Sequence, residues 1–398
     1  MAGLRRLLLA NLWMVLSALL GLMQALTLHW VLVVPLGGSL PSLGTSLSAV
    51  VLLVGANLAM LPVVRRARLS GGVHRRIARG YMTGGGALVM LGSGVGASWL
   101  LFLPAAYWHS GRPFEAVLAG DFFRAGSVVF LAVVTATILW GFSVGRYRVQ
   151  HCFVPVVLAG LAPELRGLRI VQISDLHIGN GLEGAGLEAL VRRVNALEPD
   201  IVALTGDLFD FDPSALEGGA RTLGGLRARL GVFAVLGNHD LYAGAERVAE
   251  ALAAFAPELV LLRGCVVRLA TETPLYLAGI DDPGEDWTAR GVHVESLERI
   301  ASPLPEDGPA LLLVHRPDVF TQAARLGFAL VIAGHTHGGQ IALPGWLGHL
   351  SLALMMSDYG RGLYGRGASQ LYVNRGAGFA GPPIRLNAPR EITTLELR

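Results

Sequence analysis

The chain contains no lysine, and all 32 of its basic residues are arginines. Only 15% of its residues are charged, whereas 53% are hydrophobic. That balance is too apolar for an ordinary soluble protein. Acidic residues are nearly missing from the first 150 positions, where Glu115 and Asp121 stand against 12 arginines. The remaining 248 positions carry 20 arginines against 27 acids and are net acidic. The basic pI of about 9.1 therefore reflects arginines flanking apolar segments. No clustered positive surface of the kind nucleic-acid backbones require is present, so no nucleic-acid partner is expected. Cysteine is scarce too. Cys152 and Cys265 lie in no ligand-like spacing, which excludes a thiolate metal site and gives no argument for a disulfide.

What is present divides the chain in two. Four apolar stretches, near 9–33, 44–64, 82–106 and 126–145, approach or exceed the ~20 residues that cross a bilayer as helix. The third is glycine-rich, which suits close helix approach. Gln24 and His29 in the first stretch fit a polar pathway or, more simply, a bundle interface. Arg5 and Arg6 precede the first stretch, Arg65 to Arg79 separate the second from the third, and Arg146 and Arg148 follow the fourth. By the positive-inside rule both termini face the cytoplasm of a multi-pass inner-membrane protein. Arg5-Arg6 before Leu7-Leu8-Leu9 loosely resembles a twin-arginine export signal. The apolar stretch is too long for a signal, lacks an A-x-A-like site and is followed by three more spans. The expected organisation is a four-helix transmembrane domain over 1–145 and a second domain over 146–398.

In the second half, β and α signals alternate. The apolar runs Leu168–Ile173, Ile201–Thr205, Val232–Leu236, Leu311–Val314 and Leu330–Ala333 have strand length and composition. Further strands are expected at Val154–Leu158, Leu259–Leu269, Leu275–Ile280, Leu371–Val373 and Ile392–Leu397, and helices at Leu182–Leu197, Tyr242–Phe255 and Val319–Leu326. Directly after the first five runs stand Asp175 and His177, Asp207 and Asp210, Asn238-His239-Asp240, His315, and His335 and His337. The C-terminal edge of parallel strands is where ligands bind in open α/β sheets. Alternation along an extended chain sends the side chains of Asp175 and His177 to one side. Carboxylate, amide and imidazole together bind hard or borderline divalent metals. Asp175, His177, Asp207, Asn238, His315, His335 and His337 are too many ligands for one tetrahedral ion. They fit two ions ~3.5–4 Å apart that share the Asp207 carboxylate.

These clusters resemble the calcineurin-like metallophosphoesterase superfamily, whose pattern runs D-x-H, G-D-x-x-D, G-N-H-D/E, H and G-H-x-H. Gly338-Gly339-Gln340, Asn374-Arg375-Gly376-Ala377-Gly378 and Pro383-Ile384-Arg385 are similar to its membrane-associated bacterial branch, the YkuE- and YaeI-like phosphoesterases. The resemblance covers about 150–398. It implies an α/β sandwich of two mixed sheets flanked by helices. It also implies a first metal on Asp175, His177 and His337, a second on Asn238, His315 and His335, and Asp207 as the bridge. The two ions, Mn, Fe, Zn or Co, would generate a bridging hydroxide that attacks phosphorus. His239, held by Asp210, would stabilise or protonate the leaving oxygen, and Asp240 would serve as a loop residue.

Arg375 and Arg385 are candidates for a second phosphate or carboxylate, or are ordinary surface arginines. Ile341–Met356 is rich in Leu and Met beside the metal block and fits core packing, an acyl groove or bilayer contact. The leading expectation is a membrane-anchored hydrolase of a phosphodiester or pyrophosphate on a lipid-linked substrate, such as a UDP-diacylglucosamine. The alternatives are a phosphodiesterase or phosphatase for soluble substrates, and a non-enzymatic membrane scaffold or transporter component.

Overall fold

The computed structural model of the chain describes residues 42–67 and 121–143, a few short stretches between 18 and 108, and 144–398 apart from 285–293, 303, 305–306, 346–347 and 349–350. The chain divides into two compact units, Met1–Gly141 and Phe142–Arg398.

The first unit contains α1 (Leu43–Ala67) and most of α2 (Asp121–Ser143). Ser42 caps α1, its hydroxyl oxygen accepting the Thr45 N–H at 3.2 Å. Among the described residues one helix, Val128–Tyr147, is long and apolar enough to cross a membrane, and Gly44–Met60 is a shorter apolar helix. The expected spans at 9–33 and 82–106 lie mostly outside the described residues, so a four-helix domain is not among what they contain. Asn57 is buried on α1. Its Nδ2 donates to Gln24 Oε1 at 3.0 Å, and its Oδ1 accepts the Tyr81 hydroxyl at 2.8 Å. Gln24 therefore serves an interface between segments, as lone polar groups in apolar bundles do.

The second unit is built on two six-stranded mixed sheets. The first has the order β1-β12-β2-β3-β4-β5 and the second β10-β11-β9-β8-β7-β6. In chain order the strands are β1 (Val149–Val156), β2 (Arg169–Ile173), β3 (Ile201–Thr205), β4 (Gly231–Val235), β5 (Leu259–Leu261), β6 (Cys265–Arg268) and β7 (Tyr276–Gly279). They continue with β8 (Ala310–Leu313), β9 (Leu330–Ala333), β10 (Gly362–Arg366), β11 (Ser369–Val373) and β12 (Arg390–Leu397). Strands β2 to β5 are mutually parallel, as are β7, β8, β9 and β11. Parallel strands buried on both faces need continuous apolar runs, and Ile201–Thr205 and Leu330–Ala333 are buried at every position.

Three apolar layers follow. Ile170, Ile201, Phe233 and Val235 of one sheet meet Leu277, Leu311, Leu313 and Ile332 of the other. The outer face of the first sheet is covered by α3 (Ala185–Asn195), α4 (Leu216–Leu223) and α6 (Ala245–Phe255). α3 buries Leu187, Leu190, Val191 and Val194, one stripe at helical spacing. The outer face of the second sheet carries α7 (Val294–Ala301) and α8 (Phe320–Arg325). The helix–sheet–sheet–helix architecture is the expected one.

Two expected elements are split. The run Leu259–Leu269 forms β5 and β6, which belong to different sheets. The Leu262 N–H still donates to Ala234 of the first sheet at 2.8 Å, but Gly264, at φ +70°, donates to Gly279 of the second at 2.9 Å. The helix expected over Tyr242–Phe255 is α5 (Asn238–Ala243) followed by α6, divided at Gly244 with φ +102°. At Gly279 of β7 a Cβ would run into the Leu262 and Val235 side chains. Gly279→Ala is expected to cost about 1–3 kcal/mol from overpacking. The denaturant midpoint of the full chain in detergent measures this.

Candidate metal centre

Each sequence cluster sits where its strand ends. Asp175 and His177 follow β2, Asp207 follows β3, Asn238 follows β4, His315 follows β8, and His335 and His337 follow β9. Four of these side chains thus come from the first sheet and three from the second. All seven residues are buried. The backbone leaves the strands by an unusual route. Asp175, His177, Asp207, His335 and His337 have φ of 51°, 45°, 52°, 73° and 53°, a left-handed conformation uncommon for residues with a Cβ. Backbone bonds hold these turns, with the Asp175 N–H on Gly206 O and the His177 N–H on Asp207 O, both at 3.0 Å.

The two sheets are laced together at this edge. Gln172 Nε2 donates across to Ala333 O at 2.9 Å, and the His335 N–H donates to both Asp175 carboxylate oxygens at 3.1 Å. His315 Nδ1 lies 2.9 Å from Thr205 O. A carbonyl only accepts, so Nδ1 carries a proton and Nε2 is the nitrogen turned towards the cluster.

The inward atoms converge. His177 Nε2 is 3.0 Å from His337 Nε2, and His337 Nε2 is 3.3 Å from Asp175 Oδ1. His315 Nε2 is 3.1 Å from His335 Nδ1. Asp207 Oδ2 lies between the two groups, 3.5 Å from His177 Nε2 and 3.3 Å from His315 Nε2. Within each of the sets Asp175–His177–His337 and Asp175–Asp207–His315, ligand atoms lie within 4.8 Å of one another. Two buried atoms, Asn238 Oδ1 and His177 Nδ1, have no hydrogen-bond partner. A buried unpaired acceptor costs about 1–3 kcal/mol, which a bound cation offsets. Convergent imidazoles, carboxylates and an orphaned amide oxygen fit divalent ions.

The electrostatics follow from crowding. Burial alone would lower the His315 pKa, but the adjacent Asp207 carboxylate outweighs it and pushes it up to about 10. Burial would raise Asp207, yet the neighbouring imidazoles of His315 and His239 hold it well below the usual carboxylate range. Burial, with His177 and Arg385 nearby, holds His337 well below the usual imidazole range.

His239 and Asp210 meet beside the centre, with Nδ1 2.7 Å from Asp210 Oδ1. Burial works against a proton on His239, but Asp207 and the Asp210 hydrogen bond together raise its pKa. Its ring stands edge-on to His177, with centroids 4.4 Å apart, and is flanked by Phe211 and Tyr242. The Asp240 carboxylate accepts the backbone N–H groups of Leu208, Phe209 and Gly237 at 3.1, 2.8 and 2.9 Å. It ties the Asp207 turn to the Asn238 turn, and burial beside Asp207 raises its pKa to about 7.

Arg375 is half-buried and Arg385 buried, and both make hydrogen bonds within the fold, although Arg385 Nε has no hydrogen-bond partner. Arg375 pairs with the buried Glu391 and reaches Gln150 Oε1 at 3.0 Å. Arg385 is 1% exposed and donates to the carbonyls of Arg375, Gly378 and His337 at 2.7, 2.6 and 3.0 Å. Its Nη2 also reaches His337 Nδ1 at 3.2 Å. Arg385 therefore builds the wall behind His337. Gln172 was missed in the sequence, although a lone polar side chain inside the apolar run Ile170–Ile173 was the available signal.

Residues 168–339 match the family model described as calcineurin-like phosphoesterase. The chain carries a calcineurin-like phosphoesterase domain. The transmembrane protein with metallophosphoesterase domain of Danio rerio is 33% identical over 290 residues, covering 71% of this chain and 65% of that protein. An uncharacterized metallophosphoesterase of Campylobacter jejuni is 34% identical over 237 residues, covering 58% and 60%. The metallophosphoesterase YkuE of Bacillus subtilis is 29% identical over 284 residues, covering 69% and 96%. The chain thus spans less than two thirds of the length of the first two relatives. In the phosphoesterase domain, Asp207→Asn keeps an acceptor for the His239 N–H, at 2.8 Å in the wild type, but removes the carboxylate charge. It should lower metal uptake at least tenfold, as second-group substitutions around metal sites already do. Metal analysis after dialysis, with circular dichroism to confirm the fold, checks this.

Proposed function

We propose that the chain is a membrane-anchored, metal-dependent hydrolase of a phosphodiester or pyrophosphate, acting on a lipid-linked substrate. The observation that carries the reading is the position of Asp207 Oδ2, within 3.5 Å of His177 Nε2 on one side and 3.3 Å of His315 Nε2 on the other. One carboxylate facing two imidazole groups suits two divalent ions, drawn from Mn, Fe, Zn or Co because histidines dominate and thiolates are absent. Asp175, His177 and His337 would hold one ion. Asn238, His315 and His335 would hold the other, with Asp207 shared. Such a pair supplies Lewis-acid activation of water and neutralises phosphoryl oxygens.

The chain's own residues supply the rest. Asp210 holds His239 Nδ1 and so fixes the ring and favours the charged form, as a carboxylate does for a catalytic histidine. The remaining nitrogen, Nε2, delivers a proton to the leaving oxygen. Burial of the cluster excludes bulk water and strengthens every charge contact within it.

Membrane attachment is supported by the apolar helix Val128–Tyr147, of whose residues only 17% are buried, and by the arginine distribution. The proposal extends to four spans over 1–145, with the domain at 146–398 on the cytoplasmic side of the inner membrane. A lipid-linked substrate is supported by Leu343, Leu352 and Leu354, which are 47%, 54% and 48% exposed. The Leu352 backbone packs against Gly339, two residues beyond His337.

Two outcomes are expected. Diacylated substrate should be preferred over its deacylated form in detergent, and equal kcat/KM for both would favour soluble substrates. His239→Ala should lower kcat by roughly 10²–10⁴ with metal content unchanged. An unchanged rate in the folded, metal-loaded variant would remove the proton-donor role.

A further inference from the structure

Asn238 and His315 belong to different sheets, one at the end of β4 and the other at the end of β8. Strand ladders fix neighbours within a sheet. His315 and His335 profit from this, because the Gly334 N–H donates to His315 O at 3.0 Å. Asn238 has no ladder to either histidine. Thr205, the ladder neighbour of Val235, holds the His315 ring, but the backbone on either side of the boundary needs a further link.

The corner after β7 provides the link. Both polar backbone groups of Leu236, two residues before Asn238, are held there. The Leu236 N–H donates to Asp281 Oδ1 at 3.1 Å, and the Asp282 N–H donates to Leu236 O at 2.9 Å. The Asp282 carboxylate in turn accepts two bonds from Arg316, the residue after His315. Nε reaches Oδ2 at 2.6 Å and Nη2 reaches Oδ1 at 3.0 Å. Nη2 also reaches Gly284 O at 3.2 Å. Arg316 and Asp282 are 2% and 5% exposed. One residue, Asp282, therefore grips the segment leading into Asn238 and the residue leaving His315.

A buried ion pair is a weak source of stability, since desolvation offsets much of its Coulombic gain. Its geometry is another matter. A planar guanidinium on a carboxylate through two parallel bonds admits one orientation. We infer that Asp282 and Arg316, together with Asp281, are positioning residues that set the Asn238–His315 separation across the sheet boundary, and so complete one metal position selectively. The inference rests on the binuclear reading above. The other position draws on Asp175, His177 and His337, which take no part in the contacts of the corner just described.

The test is a Mn(II) titration of the metal-stripped full chain in detergent, followed by calorimetry and by electron paramagnetic resonance. Wild-type protein should take up two equivalents and show a spin-coupled signal. In Asp282→Asn and Arg316→Lys, one equivalent should weaken about 10–100-fold, the usual effect of losing a group that orients a ligand. The other equivalent should keep its affinity, and the coupled signal should give way to an isolated one. Arg316→Lys keeps the charge and loses the two-bond geometry, so it separates orientation from electrostatics. Asp281→Ala, at a partly exposed position, should move the same equivalent by a smaller factor, and it decides alone if the buried variants do not fold. Two equivalents at wild-type affinity in the variants would overturn the inference, as would equal weakening of both. A single equivalent in the wild type would remove the binuclear reading itself, a result distinct from either.

Discussion

The centre depends on a row of polar contacts joining two sheets that share no strand ladder. Along the first sheet the neighbours run β2, β3, β4, and along the second β9, β8, β7. Each facing pair is linked near its end. Gln172 and Asp175 reach β9 and the residues after it, Thr205 O holds the imidazole of His315, and Leu236 is held by Asp281 and Asp282. The apolar layer between the sheets supplies cohesion but no register, because apolar contact is non-directional. Hydrogen bonds at 2.9–3.1 Å supply the register. Groups from two independently twisted surfaces are thereby brought to one point.

This arrangement stores free energy. Residues with a Cβ pay about 1–3 kcal/mol each in sparsely populated backbone regions. Five of the seven converging residues are in such a region, and the imidazoles face one another at about 3 Å across buried space. The surroundings hold them there. Gly334, Gly237 and Gly376 lie so close to Ser174, Asp207 and Asp175 that a Cβ on any of them would collide. Bare backbone at these points lets the turns approach and the carboxylates accept N–H bonds. A cation that satisfied the orphaned Asn238 oxygen would stabilise this pre-strained cluster and couple metal binding to local folding there.

Much of this was legible in the chain. Fully buried parallel strands leave apolar runs, and Ile201–Thr205 and Leu330–Ala333 were bounded to the residue. The polar clusters stood out because each interrupted such a run. Other features were hidden for identifiable reasons. α4 carries Gly218 and Gly219, poor helix formers, and forms because Gly219 packs directly on Phe209 and Ile178. β10, with the sequence Gly-Leu-Tyr-Gly-Arg, is an edge strand that owes its form to pairing with β11. The separation of β5 from β6 rests on the left-handed Gly264, which follows Arg263 between two apolar runs. Arg375 and Arg385 were left open between anion ligands and surface residues, because a sequence does not show which groups an arginine will meet.

Those two arginines bear on the chemistry. Phosphoryl transfer needs positive charge where negative charge develops. The chain offers no lysine, and the unit with the centre is acidic. Arg385 lies behind His337 with its two terminal nitrogens bonded to carbonyls, and burial with Arg390 nearby depresses its pKa to about 9. Arg375 is turned away onto Glu391. Beside the centre stands the His239 imidazole, whose pKa Asp207 and Asp210 raise against the effect of burial. One imidazole carries at most one positive charge, less than a phosphoester with an attacking oxygen would bring. On the reading proposed above, ions held by the histidine–carboxylate cluster would supply the rest.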